Sequence, residues 1–139
     1  MSVDPTASLD EAMRLRSGAL DRVVVCLLEL PEQIAAKARE LAKTSMTLEE
    51  DRANVVRLKS QIMLEVTAAT MIDGKPKYSN DTARIAARDV ILEALPEYKQ
   101  KTDAIKAGEK QVSETRIDLE LLQNKFSALR AIVMMNGGK

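Results

Sequence analysis

The chain has no histidine and no tryptophan among its 139 residues. A missing imidazole removes the commonest general base and the commonest neutral nitrogen ligand for metals, and with them the usual serine triads. Aromatic residues make up 2% of the chain, namely Tyr78, Tyr98 and Phe126. That is too little for a core of aromatic anchors or a platform stacking several bases, so aliphatic and alanine side chains must do the packing. Cys26 is the single cysteine, which excludes an intrachain disulfide and fits a reducing compartment. It lies in the apolar run Val23-Val24-Val25-Cys26-Leu27-Leu28 without a sequence-local base, and reads as a small buried hydrophobe rather than a nucleophile. The run is too short to span a bilayer and too far inside the chain for a signal peptide, so a cytoplasmic protein without a membrane partner is expected. The five glycines stand at 18, 74, 108, 137 and 138, a scatter that builds no phosphate-cradling loop. Charge of one sign is not in excess either: Lys plus Arg and Asp plus Glu are each 21, so a nucleic-acid site would have to be local. No catalytic residue, cofactor, metal or small-molecule substrate is expected, and the chain reads as a binding protein rather than an enzyme.

What is present is a heptad. Every seventh residue from Met13 is apolar: Met13, Leu20, Leu27, Ile34, Leu41, Leu48, Val55, Ile62 and Ala69. A second ladder runs through Ile91, Tyr98, Ile105, Val112, Leu119, Phe126 and Val133. The two are mirror images, since Ile62 and Ile91, Leu48 and Ile105, and Leu27 and Phe126 lie equally far from residues 76 and 77. Those two residues fall inside Gly74-Lys75-Pro76-Lys77-Tyr78-Ser79-Asn80, the best loop signal in the chain. Folding back there sets the ladders face to face, which predicts an all-α chain with a long antiparallel helical hairpin of coiled-coil type.

Local signals divide this single helical domain. Residues 1–7 read as disordered, and Ser8 with Glu11 forms a capping box that opens an N-terminal helix over 8–30. Pro31 removes a backbone donor and restrains Leu30, predicting a kink or a restart. An outgoing arm follows over 31–73, helical to about Ile72, with Gly74 as its C-terminal stop. The tip spans 74–80, where Ser79 or Asn80 caps the next helix and Asp81 suits its first turn. The return arm over 81–135 should break at Pro96 into a short helix ending near Ala94 and a long one from about Glu97. A tail over 136–139 closes the chain, with Lys139 frayed.

Three residues after each rung, the seam is polar or small in the middle, at Thr44, Asp51, Lys101, Gly108 and Thr115, and apolar toward the terminal end, at Val23, Leu122 and Leu129. Val24, Val25, Leu28 and Leu30 add to this apolar end, which a two-helix hairpin cannot cover on all sides. The chain is therefore expected to assemble with itself into an oligomeric bundle through Leu20, Val23, Val24, Leu27, Leu28, Leu122, Phe126, Leu129 and Val133. The densest acidic run, Glu49-Glu50-Asp51, points in several directions on a helix. It is expected to be a salt-bridged face within reach of Lys101 and Lys106, not a metal site.

Two constellations have the chemistry for binding. At the tip, Lys75, Lys77, Arg84 and Arg88 surround Tyr78. Cationic side chains neutralise phosphates while a ring stacks on a base, which is a minimal apparatus for single-stranded nucleic acid. Against it, Tyr78 suits a hydrophobic staple over Ala83, and Asp73, Asp81 and Asp89 dilute the charge. Lys99, Lys101, Lys106 and Lys110 form a second, weaker series, interrupted by Asp103 and Glu109.

The stretch Gly74-Lys75-Pro76-Lys77-Tyr78-Ser79-Asn80-Asp81, with Arg84 beyond it and a return helix rich in Leu, Glu and Lys, resembles a pattern in small helical proteins of bacteriophages and prophages. The resemblance covers about residues 60–133 and implies an accessory role in phage DNA recombination or replication, because genes of that kind tend to lie beside recombination and strand-annealing genes. The architecture is also similar to phage recombination mediators, small helical oligomers that load a recombinase on single-stranded DNA. The expected partners are thus other copies of this chain and single-stranded DNA or a recombination protein. The rival expectation is a protein-binding scaffold or prefoldin-like holdase chaperone whose arms grip a client without nucleic acid.

Overall fold

The structure, a computed structural model, describes the backbone of residues 5–137 and the side chains of residues 9–136. It is all-helical, with α1 over Pro5–Ala68, α2 over Asp81–Ala94 and α3 over Pro96–Gly137, and no strand among the described residues. None of the described helices is long and apolar enough to cross a membrane.

Two helix boundaries in the first half of α1 depart from the sequence-based expectation. Ser8 lies inside α1 instead of capping it, because the helix starts at Pro5, whose fixed φ suits a first helical position. Residues 5–7, expected to be disordered, are helical, while residues 1–4 and Lys139 lie outside the described residues. Pro31 does not restart the helix: α1 runs through it unbroken. The residue before it, Leu30, is fully buried, the largest side chain so buried among the described residues, so packing holds Leu30 helical against the steric preference that Pro31 imposes. At Pro96 the expectation holds. Leu95 is extended, with φ −87 and ψ 119, its N–H donates to the Leu92 carbonyl, and α3 begins at Pro96. The Leu95 carbonyl accepts from the N–H groups of Tyr98 and Lys99 and so serves the first turn of α3.

Contacts divide the chain into two compact units, Met1–Leu41 with Glu114–Lys139, and Ala42–Ser113. In the second, Leu58, Ile62 and Val66 of α1 bury themselves with Leu92 of α2, and Tyr78, Ala87, Ile91, Leu95 and Tyr98 pack around them. The mirror-register pair Ile62 and Ile91 thus meets in one cluster. Leu48, Val55 and Val112 are buried as well. Gly108 has a packing reason: a Cβ there would lie 3.2 Å from Leu48 Cδ1, so the missing side chain admits Leu48 closely. The acidic run pairs differently from the expectation. Arg52 bridges Glu49 at 2.8 Å and Glu109 at 3.3 Å, whereas Lys101 turns to Glu97 on its own helix at 3.7 Å. The hydrogen bond that Arg52 donates to Glu109, then the one it donates to Glu49, raises the pKa of its guanidinium above the ordinary value.

In the first unit α1 and α3 run antiparallel, since Lys37 meets Asp118 at 3.7 Å while Arg16 donates to Asn136 at 3.1 Å. Lys37 is hydrogen-bonded to Glu40, and that bond, foremost among several contacts, raises its ammonium pKa. Shielding follows the heptad: Leu119, Leu122, Phe126, Leu129 and Val133 are half-buried at alternating spacings of three and four, as are Leu20, Val23, Leu27 and Ile34 on α1. Yet Leu30 is the single hydrophobic side chain that becomes buried among the described residues of this unit, where the other unit buries seven.

Candidate nucleic-acid interface

The turn between α1 and α2 is built by backbone pairing. The Met71 N–H, which a continuing helix would direct to Thr67, donates instead to the Lys75 carbonyl at 2.8 Å, and the Lys77 N–H donates to Ala69 at 3.0 Å. Thr70 and Pro76 form an antiparallel bridge between them. This pairing ends α1 at Ala68, four residues before the expected Ile72. Gly74 is therefore not the helix stop that the sequence suggested. It sits at φ +81 in the reversal itself, where its N–H donates to the Met71 carbonyl at 2.9 Å and the Asp73 carboxylate accepts from the Lys75 N–H at 3.0 Å. Nothing lies within 4 Å of a Cβ built on Gly74, so Gly74→Ala isolates the backbone term. It should lower unfolding free energy by about 1–2 kcal/mol in a denaturant titration, with no change in helix content.

Asn80 is the N-cap of α2: its side-chain oxygen accepts from the Ala83 N–H at 2.8 Å, and its own backbone is extended. Ser79 is not used for this purpose. Asp81 occupies the first turn, favourably for the helix dipole.

These elements distribute the five tip residues unequally. Lys75 and Lys77 are exposed on the returning limb of the turn. Tyr78 is half-buried and packs on the Leu58, Ile62, Val66 and Leu92 cluster, while the Lys77 ammonium stands 5.5 Å from its ring centroid. Arg84 and Arg88 are also half-buried and committed to carboxylates: Arg84 to Asp81 at 3.0 Å, Arg88 to Asp89 at 3.0 Å. The Arg84 Nε is buried with no hydrogen-bond partner among the described residues. The structure thus brings Lys77 and Tyr78 together, keeps Lys75 beside them on the turn, and turns Arg84 and Arg88 toward their own helix.

One feature of the turn escaped the sequence reading. Met71 and Ile72 are exposed, Ile72 completely, and with Thr70, Asp73 and Lys77 they line an open depression of about 650 Å³. In the sequence the pair reads as the last residues of a helix; in the structure both lie in the turn, where the Met71 N–H donates to the Lys75 carbonyl. No group of three or more cysteine, aspartate or glutamate side chains that could hold a metal ion occurs among the described residues.

Neither a protein family, nor a curated protein, nor a solved structure matches this chain.

Proposed function

We propose that the protein is a non-enzymatic adaptor: an antiparallel coiled-coil hairpin that assembles with copies of itself in the cytoplasm and presents the turn at 69–80 to single-stranded DNA in phage-type recombination or replication. The observation that carries the reading is the placement of Lys75 and Lys77, both exposed, on a turn pinned by backbone hydrogen bonds, with no salt bridge to either among the described residues. Two exposed ammonium groups on a preformed turn neutralise successive phosphates with little further ordering. The setting in DNA metabolism is supported by the resemblance of Gly74–Asp81 to the phage proteins. Arg84 and Arg88 would contribute by exchanging their carboxylate partners for phosphate, and Tyr78 through the edge that the cluster leaves open.

Retention of labelled single-stranded DNA across a salt series tests this. Tyr78 supports the core, so the double variant Lys75→Ala with Lys77→Ala is the cleaner probe. It should weaken binding by about tenfold at low salt and reduce the slope of log K against log salt by about 1.4, or 0.7 per lost phosphate contact on a single strand. Absence of retention by the unaltered protein at low salt ends the reading.

A holdase or scaffold is favoured by a different observation, the exposure of Met71, Ile72, Leu64, Ile85 and Val90 around the same end of the second unit. It requires suppression of a client's aggregation that polyanions leave unchanged and that Ile72→Asp removes.

A further inference from the structure

We infer that the outward face of α3 between Ile117 and Met135 is a self-docking surface, which receives the same face of a second copy of this chain in antiparallel orientation. The inference rests on the oligomer in the reading above and assigns the surface that makes it.

Sequence reasoning placed self-association on Leu122, Phe126, Leu129 and Val133, but these half-buried residues lie along one side of α3, the side of the heptad ladder. At 100° per residue, Ile117, Leu121, Ala128, Ile132 and Met135 fall within an arc about 60° wide, turned well away from that side. They are all exposed, at 53% for Ile117, 62% for Leu121, 43% for Ile132 and 79% for Met135. Residues 117, 121, 124, 128, 131 and 135 repeat the alternating four and three spacing of a helix-pairing seam, interrupted by polar Asn124 alone. This is a second heptad face, and its large apolar residues stay exposed among the described residues.

Two observations choose the occupant. The first unit buries one hydrophobic side chain, Leu30, among its described residues, far less than a stable helical core requires. A surface that doubles the unit repairs this shortage within the chain's own means. The second is charge order. Asp118 and Lys125 border the arc on the same flank, seven residues apart. Antiparallel pairing about a two-fold axis between Leu121 and Asn124 places Asp118 of each copy beside Lys125 of the other, twice. It also sets large Ile117 on small Ala128. Parallel pairing in register would set this flank against the opposite flank of the partner, where Glu120 and Ser127 lie, and would form neither of these ion pairs. Asp118 remains available for this, since its side chain is 56% exposed beside Lys37. Asn124 near the axis can pair with its counterpart and fix the register, as a lone polar residue does in helical seams.

The test uses the full chain with Cys26→Ser. Ile117→Cys and Ala128→Cys are prepared separately and exposed to a mild oxidant alone and mixed. In the antiparallel pair, equal positions stand about 16 Å apart, eleven residues at 1.5 Å each, so neither variant cross-links to itself, whereas the mixture gives a covalent dimer. Light scattering should show that Leu121→Glu loses the dimeric mass with its helical circular dichroism retained. Lys125→Asp should weaken association about three- to tenfold, and Asp118→Lys added to it should restore it. Self-cross-linking by each single variant overturns the antiparallel face, and so does a dimer that never cross-links in the mixture; in both cases the oligomer itself survives. A monomeric mass for the unaltered chain at every concentration removes both the face and the oligomer.

Discussion

Leu92→Ala should lower the unfolding free energy of the Ala42–Ser113 unit by about 2–5 kcal/mol. Leu92 is 2% exposed and meets Leu58, Ile62 and Val66, three side chains on successive turns of one uninterrupted helix. Those three cannot close independently on a vacated site, because α1 is continuous beneath them, so the cavity term adds to the lost transfer energy. The chain supplies its own probe. Both tyrosines, Tyr78 and Tyr98, pack on this cluster, and there is no tryptophan. Tyrosine fluorescence therefore reports this unit, whereas far-ultraviolet circular dichroism averages all three helices. The denaturation midpoint by fluorescence should move further than the midpoint by circular dichroism. Because Tyr78 joins the cluster to the turn, amide exchange at Met71, Gly74 and Lys77 should quicken in the same variant. A loss below about 1 kcal/mol, with exchange unchanged, contradicts the assignment of this cluster as the core.

That cluster also separates what was legible in the sequence from what was not. Heptad spacing predicted the shielded side of α1 and α3 because burial on a helix is a matter of period, and the period is visible residue by residue. The loop at Gly74–Asn80, a cap at Ser79 or Asn80, of which the structure uses Asn80, and the break at Pro96 were legible for the same reason: each is decided within four residues. The end of α1 was not, because it is decided by the bridge between Thr70 and Pro76 and by the pairing of Met71 with Lys75 across the turn. Tyr78 was read as an exposed ring or a local staple, and neither reading contains Leu58, twenty residues away, against whose cluster the ring rests. Arg84 and Arg88 were counted as tip cations although their partners Asp81 and Asp89 stand at three residues and one residue. That spacing was the available signal, and it reduces the tip's ready cations to Lys75 and Lys77. Function was the least legible layer, because a heptad specifies packing and leaves the chemistry to a few residues in a turn.

Pro31→Ala should stabilise the protein, by about 1–2 kcal/mol. A proline inside a helix removes one backbone donor, here the one that would reach the Leu27 carbonyl, and its ring crowds that carbonyl, a combined penalty of about 3 kcal/mol relative to alanine. α1 carries this penalty because it continues through Pro31. Alanine restores the donor and relieves Leu30, whose burial at present keeps it helical against steric preference. Two smaller effects subtract: the unfolded chain regains freedom that proline had withheld, and the open groove lined by Pro31, Ile34 and Phe126 loses the ring's apolar contact. Pro96 provides the contrast. It is the first residue of α3, where its missing donor has no helical partner and its fixed φ is preset. Pro96→Ala should therefore be neutral or destabilising by up to about 1 kcal/mol. Opposite signs for two prolines in one chain, read from denaturant titrations followed by circular dichroism, follow from the continuity of α1 at one and the extended Leu95 at the other. If Pro31→Ala proves neutral or harmful as well, α1 breaks at Leu30, as the local sequence rule holds, and the buried position of Leu30 does not override the proline after it.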